Sequence, residues 1–134
     1  MALVLPNVGE TYLLNLMTNN ATPQNLTLRL YSNNYTPVEG STNSSFTEAT
    51  FTGYSASSLT AGSWTITAGD PSTAAYPQVT FTSSAGSQNQ NIYGYYVTRA
   101  TGPEVVFAEL FTDGPYNIAN NGDAIKVTLN FTMT

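Results

Sequence analysis

The segment Ile125-Lys126-Val127-Thr128-Leu129-Asn130-Phe131-Thr132-Met133 decides the fold class, because apolar and polar residues alternate through it without a slip. Successive side chains of a strand point to opposite faces, so this pattern gives one face to a core and the other to water. It predicts a strand that runs through the C-terminal end. Asn120-Asn121-Gly122-Asp123 lies just before it and supplies residues that tolerate the positive φ of a tight turn.

The same period recurs upstream. Leu26, Leu28 and Leu30 alternate with Thr27, Arg29 and Tyr31, and strand signal returns near 47–51 and 54–59. Trp64 and Ile66 share a face between Gly62 and Gly69; Val79 and Phe81 do the same after Tyr76-Pro77, and the two segments are expected to pair across a long connection. The aromatic run 92–98 places Tyr93, Tyr95 and Val97 on one face, opposite Ile92, Gly94 and Tyr96. Val105 to Phe111 is nearly all apolar, as expected of a central strand covered on both sides. Between these runs, 38–45 and 83–91 are polar and read as surface loops, the first of them mobile.

One segment has a different period. Tyr12, Leu13, Leu16 and Met17 fall on one helical stripe, which predicts a short helix over 10–17 that Asn19-Asn20 stops. The chain of 134 residues suits one domain. The expectation is therefore an all-β, single-domain antiparallel β-sandwich or barrel with one short N-terminal helix. Residues 1–9 would form an N-terminal arm and 10–134 the β domain, with the helix at its start.

Composition narrows the function. Only 8% of residues are charged, the formal net charge is −5, and Arg29, Arg99 and Lys126 are the only cations. That leaves almost nothing to neutralise phosphates, which argues against nucleic acid and against an anionic membrane surface. No apolar run approaches the roughly 20 residues that span a bilayer, so a water-soluble chain is expected. The opening MALVLPNVGE has no basic region, and Pro6, Asn7 and Gly9 interrupt its apolar stretch, so a secretory leader is not indicated. The N-x-S/T triplets at Asn20, Asn25, Asn34, Asn43 and Asn130 reflect abundant Asn and Thr.

Catalysis lacks its usual residues. The chain has no histidine and no cysteine, so a nucleophile activated by either cannot be built. A serine–lysine pair would rest on Lys126 alone, which the alternation places outward. Glu109 and Asp113 are the closest acids in sequence, but Asp113-Gly114-Pro115 reads as a turn. A hard cation such as Ca²⁺ could draw on Asp113, Asn117, Asn120, Asn121 and Asp123, yet their spacing matches no EF-hand loop. No catalytic residue, metal site or cofactor is expected. Tyr93 and Tyr95, with Tyr54, Tyr76, Tyr96 and Trp64, would suit sugar stacking or a core that continues into a subunit interface.

The segments 4–10 through Leu16-Met17, Leu28-Arg29-Leu30-Tyr31-Ser32-Asn33-Asn34, Phe46-Thr47-Glu48-Ala49 leading to Gly53-Tyr54, and Trp64-Thr65-Ile66 resemble small structural proteins of tailed bacteriophages. So do Val79-Thr80-Phe81-Thr82, 92–97, Ala108-Glu109-Leu110-Phe111 with Asp113-Gly114-Pro115, and 121–128. The resemblance covers nearly the whole chain and implies a non-enzymatic virion component made in the host cytoplasm. The role it suggests is a capsid decoration, or cement, protein on the capsid exterior, a homotrimer clipped over the major capsid protein. A tail, baseplate or fibre component bound to tail proteins, and a carbohydrate-binding module touching the host surface, are the alternatives. Leu3, Val4 and Leu5 of the arm, with Tyr93 and Tyr95, are the candidate protein-interface residues.

Overall fold

In the computed structural model, which describes residues 3–133, the chain enters helix α1 (Asn7–Met17) directly behind Pro6, whose φ is −65°. The helix thus begins three residues earlier than its apolar stripe suggests. Pro6 and Gly9, which interrupt the apolar stretch of the sequence, have positional uses here: Pro6 is preset for a helix entry, and Gly9 lets the helix lie directly on the strand beneath it. A Cβ at Gly9 would sit 2.2 Å from the Val106 carbonyl oxygen. The close approach outweighs the roughly 1 kcal/mol that glycine costs inside a helix. At the far end Asn19 adopts φ 58°, and the Asn20 N–H reaches back to the Asn15 carbonyl at 2.8 Å.

The strands follow as β1 (Leu26–Tyr31), β2 (Ser57–Leu59), β3 (Thr65–Thr67), β4 (Ser72–Ala75), β5 (Val79–Thr82), β6 (Gln90–Ile92), β7 (Gly94–Arg99), β8 (Val105–Leu110), β9 (Tyr116–Ile118), β10 (Ala124–Val127) and β11 (Asn130–Met133). All described pairings are antiparallel. A four-stranded sheet runs β2-β1-β7-β8, and three smaller ladders run β10-β5, β11-β4-β3 and β6-β9. Leu28, Leu30, Tyr95, Val97 and Phe107 from the large sheet meet Phe81, Ile92, Ile118, Ile125, Val127 and Leu129 from the ladders in one buried cluster. The fold is all-β with a single helix.

The large sheet is buried on its other face as well. Tyr31, Phe46, Tyr96, Val105 and Ala108 form a second cluster there, with the Phe46 and Tyr96 rings stacked 4.6 Å apart. The loop that covers this face is tied down at Ser41, which is buried and whose Oγ accepts the Val38 N–H at 2.9 Å and lies 2.8 Å from the Tyr35 hydroxyl. Nearby, Arg29 and Glu48 pair at 2.7 Å, and Glu48 accepts the Tyr54 hydroxyl at 2.9 Å.

Three local expectations are corrected. Val105–Leu110 is covered on both faces but lies at a sheet edge, not in the middle; its outer edge is capped by Val4, which exchanges two backbone hydrogen bonds with Ala108 at 2.8 and 2.9 Å. A bulge opposite Val97 and Thr98 leaves Val106 as the extra residue, so Val106 and Phe107 both serve the main core. The segment around Trp64 pairs with β4 and not with β5. The C-terminal alternation is two strands, broken at Thr128-Leu129: β10 pairs with β5 and β11 with β4.

Candidate functional site: an apolar groove beside the N-terminal arm

The break at Leu129 matters because it carries β11 away from the main core to a sheet whose outer surface is incompletely covered. The arm and α1 stand on one side of this surface and β11-β4-β3 on the other. Between them lies a groove of about 420 Å³. Its walls are Leu3 and Leu5 from the arm, Leu13 and Leu16 from α1, and Ile66 from β3. Its floor is aromatic: Phe107 and Phe131 meet edge to face at 4.3 Å, and Trp64 lies 5.6 Å from Phe131 and 5.0 Å from Tyr76. Gln24 is the one strongly polar side chain in the lining besides the Tyr12 hydroxyl, and no charged side chain lines it.

Helix α1 explains why the groove is open. Tyr12 is buried, and the Arg99 guanidinium caps its ring at 4.9 Å from the centroid. Of the remaining stripe residues Leu13 and Leu16 line the groove and Met17 is exposed; Leu14, off the stripe, is exposed as well. Ile66 is 71% exposed and Met133 79%, and a shallower depression lined by Ile66, Ala74, Phe131 and Met133 continues the apolar surface across β3, β4 and β11. Eight large hydrophobic residues are exposed among the described residues; Leu3, Leu13, Leu14, Met17, Ile66 and Met133 all belong to the arm, α1, β3 or β11. Monomeric surfaces rarely gather apolar residues this way unless something binds there.

Of the interface residues chosen from the sequence, Leu3 and Leu5 line the groove, while Val4 ties the arm to β8. The first two arm residues lie outside the described residues. Tyr93 and Tyr95 do not share a face. The run breaks at Tyr93 between β6 and β7, so Tyr93 packs against the outer cluster while Tyr95 is buried in the main core and donates its hydroxyl to Glu109 Oε2 at 2.6 Å. Tyr96 belongs to the outer cluster and Tyr54 stacks on Phe81. Sequence reasoning missed Ile66, Leu13 and Phe131 as groove residues, because it placed Leu13 on a helical stripe and Ile66 and Phe131 each on one face of a strand, with no sign of how fully those faces are covered.

Two of the acids singled out from the sequence, Glu109 and Asp123, are engaged locally. Glu109 receives the Tyr95 hydroxyl, and burial, reinforced by that hydrogen bond, raises the pKa of Tyr95 well above the usual tyrosine range. Asp123 Oδ2 accepts the N–H groups of Ala119 and Asn120 at 2.9 and 2.7 Å, which hold its carboxyl below the ordinary value. The Asn117 amide donates to Asn89 and Asn91. Among the described residues no three acids gather as a metal-binding group, and no helix is long and apolar enough to cross a membrane. What the groove can do chemically is exclude water from an apolar segment laid along it.

Searches against protein-family models, curated proteins and solved structures found no match for this chain.

Proposed function

We propose that this chain is a non-enzymatic structural protein of a tailed-phage virion, a capsid decoration protein that seats an apolar segment of a neighbouring major capsid subunit in the groove beside its arm. The observation that supports contact is a groove with no charged residue among its described lining, walled in part by the exposed Leu3, Leu13 and Ile66, with the exposed Leu14, Met17 and Met133 on the same elements. The virion placement rests on the resemblance of the segments quoted above. A surface with few charges joins a neighbour without stripping water from ions, which is the costly part of most polar interfaces. Copies arranged as a trimer over a symmetric lattice would multiply weak contacts into firm attachment.

The test uses capsid shells that lack the protein. Purified chain is expected to cosediment with such shells and to raise the temperature at which they open, whereas Leu13→Asp with Ile66→Asp abolishes both effects while the isolated chain still folds and melts cooperatively. Failure of the unaltered chain to bind, or undiminished binding by the double variant, overturns the reading. Electron microscopy of whole particles separates capsid from tail placement.

A further inference from the structure

A second cavity, of about 410 Å³, opens where β9 and β10 part. Strands joined by only five residues, 119–123, ordinarily pair as a hairpin. Here β9 pairs with β6 and β10 with β5, so their facing edges splay. The closed end is held by Asp123, whose side chain accepts two backbone N–H groups of the loop and whose carbonyl accepts the Ser83 N–H at 2.8 Å.

The lining is mixed in a way the apolar groove is not. Phe111, Ile118 and Ile125 contribute its apolar surface, while Tyr116, Asn117, Asp123 and Lys126 contribute polar groups. Tyr116 is 44% exposed, the only one of the nine tyrosines so open, and its ring leans on Phe111 at 5.4 Å. The Asn117 amide is oriented by its two donated bonds to Asn89 and Asn91. Lys126 is the one cation of the three without an ion pair among the described residues; Arg29 and Arg99 hold Glu48 and Glu104.

We propose that this cavity binds a neutral pyranose unit, its C–H face stacked on Tyr116 and a pair of its hydroxyls shared between the Asp123 carboxylate and the Lys126 ammonium. A vicinal diol donates to a carboxylate and accepts from an ammonium at once, which suits a lining of one anion and one cation. An acidic sugar or a phosphate would gain Lys126 only by facing Asp123 with like charge, and an apolar ligand would cover both groups without replacing their water. The volume falls at the lower end of the roughly 300–1,000 Å³ usual for small-ligand sites. The inference stands apart from the docking reading, since the two cavities share no residue.

The experiment begins with the full chain on an array of neutral and acidic glycans, followed by saturation-transfer NMR and titration with the methyl glycoside of the best neutral hit. A neutral sugar is expected to bind with saturation concentrated on its ring C–H protons. Tyr116→Ala should weaken binding at least tenfold, Tyr116→Phe should retain it, and Lys126→Ala should weaken it several-fold, all with unchanged melting. No neutral hit up to about 1 mM, a preference confined to acidic glycans, or a hit that Tyr116→Ala leaves intact overturns the proposal.

Discussion

Gly94 opens β7 at a point where there is no room for a side chain, and replacing it with alanine tests the two-sided packing of the large sheet. A Cβ there would lie 2.1 Å from the Glu109 carbonyl oxygen, 2.6 Å from the Tyr31 hydroxyl and 2.7 Å from a Tyr31 ring carbon. Neither neighbour can retreat. The Glu109 carbonyl belongs to the paired strand β8, and Tyr31 is fully buried with its hydroxyl donating to the Tyr35 carbonyl at 3.2 Å. Overpacking costs about 1–3 kcal/mol when side chains can shift, and a backbone obstacle puts this site at about 3 kcal/mol or more. At roughly 2.1 cal/mol/K of unfolding entropy per residue, 134 residues give about 0.28 kcal/mol/K, so Gly94→Ala should lower Tm by roughly 10 °C. Gly86→Ala is the control, because a Cβ there meets nothing within 4 Å; it should move Tm by no more than about 2 °C. Thermal melts by circular dichroism decide the matter. Equal Tm values for the two variants would refute the packing argument.

Three further outcomes follow from the packing, the tyrosines and the groove. Leu129→Ala removes a core side chain and should cost about 2–5 kcal/mol by urea unfolding, while Met133→Ala, at an exposed position of the same alternation, should stay within about 0.5 kcal/mol; equal effects would mean one continuous half-buried strand. Burial raises the pKa of Tyr96 from 10.0 to about 12 and those of Tyr31, Tyr54 and Tyr95 further, so the unfolded chain releases these protons first. The stability they provide is complete below pH 10 and is lost as pH rises through 12; a urea midpoint unchanged between pH 8 and pH 11.5 would contradict this. Leu13→Asp with Ile66→Asp should lower Tm by no more than about 10 °C, since Leu13 is partly buried, while removing the affinity of the groove for an apolar fluorescent probe.

Much of the fold was legible because strand formation obeys a local rule. Leu28 and Leu30 are fully buried and Arg29 is not, as alternation requires. Pairing was less legible, since a strand's partner depends on where the chain bends. Leu129 shows the limit. It keeps the period of Ile125 and Val127 and joins their core, yet the two residues at 128–129 redirect the backbone so that Phe131 and Met133 serve a different sheet. Gly9 shows a second limit: its meaning comes from Val106, almost a hundred positions away, and no window around residue 9 contains that contact.

The groove lies between these cases. The stripe Tyr12, Leu13, Leu16 and Met17 announced an apolar helix face, and a lone sequence gives no reason to expect such a face to be only partly covered. Arg99 and the main core cover Tyr12, but among the described residues Leu13 is covered only in part and Met17 scarcely at all. On the opposite wall Ile66 is in the same position, because β3 is the last strand of its ladder and no further strand screens it. Burying one such side chain completely is worth about 1.5–3 kcal/mol, and with Leu13 37% and Ile66 71% exposed the two together leave roughly 2–3 kcal/mol unrealised in the isolated chain. Polar replacement therefore costs the monomer little at Ile66 and a moderate amount at the partly buried Leu13, whereas any neighbour that covers the groove gains the unrealised free energy on binding. That difference separates an interface from a loosely packed core, and it is why the double variant is expected to spare the fold and abolish the contact.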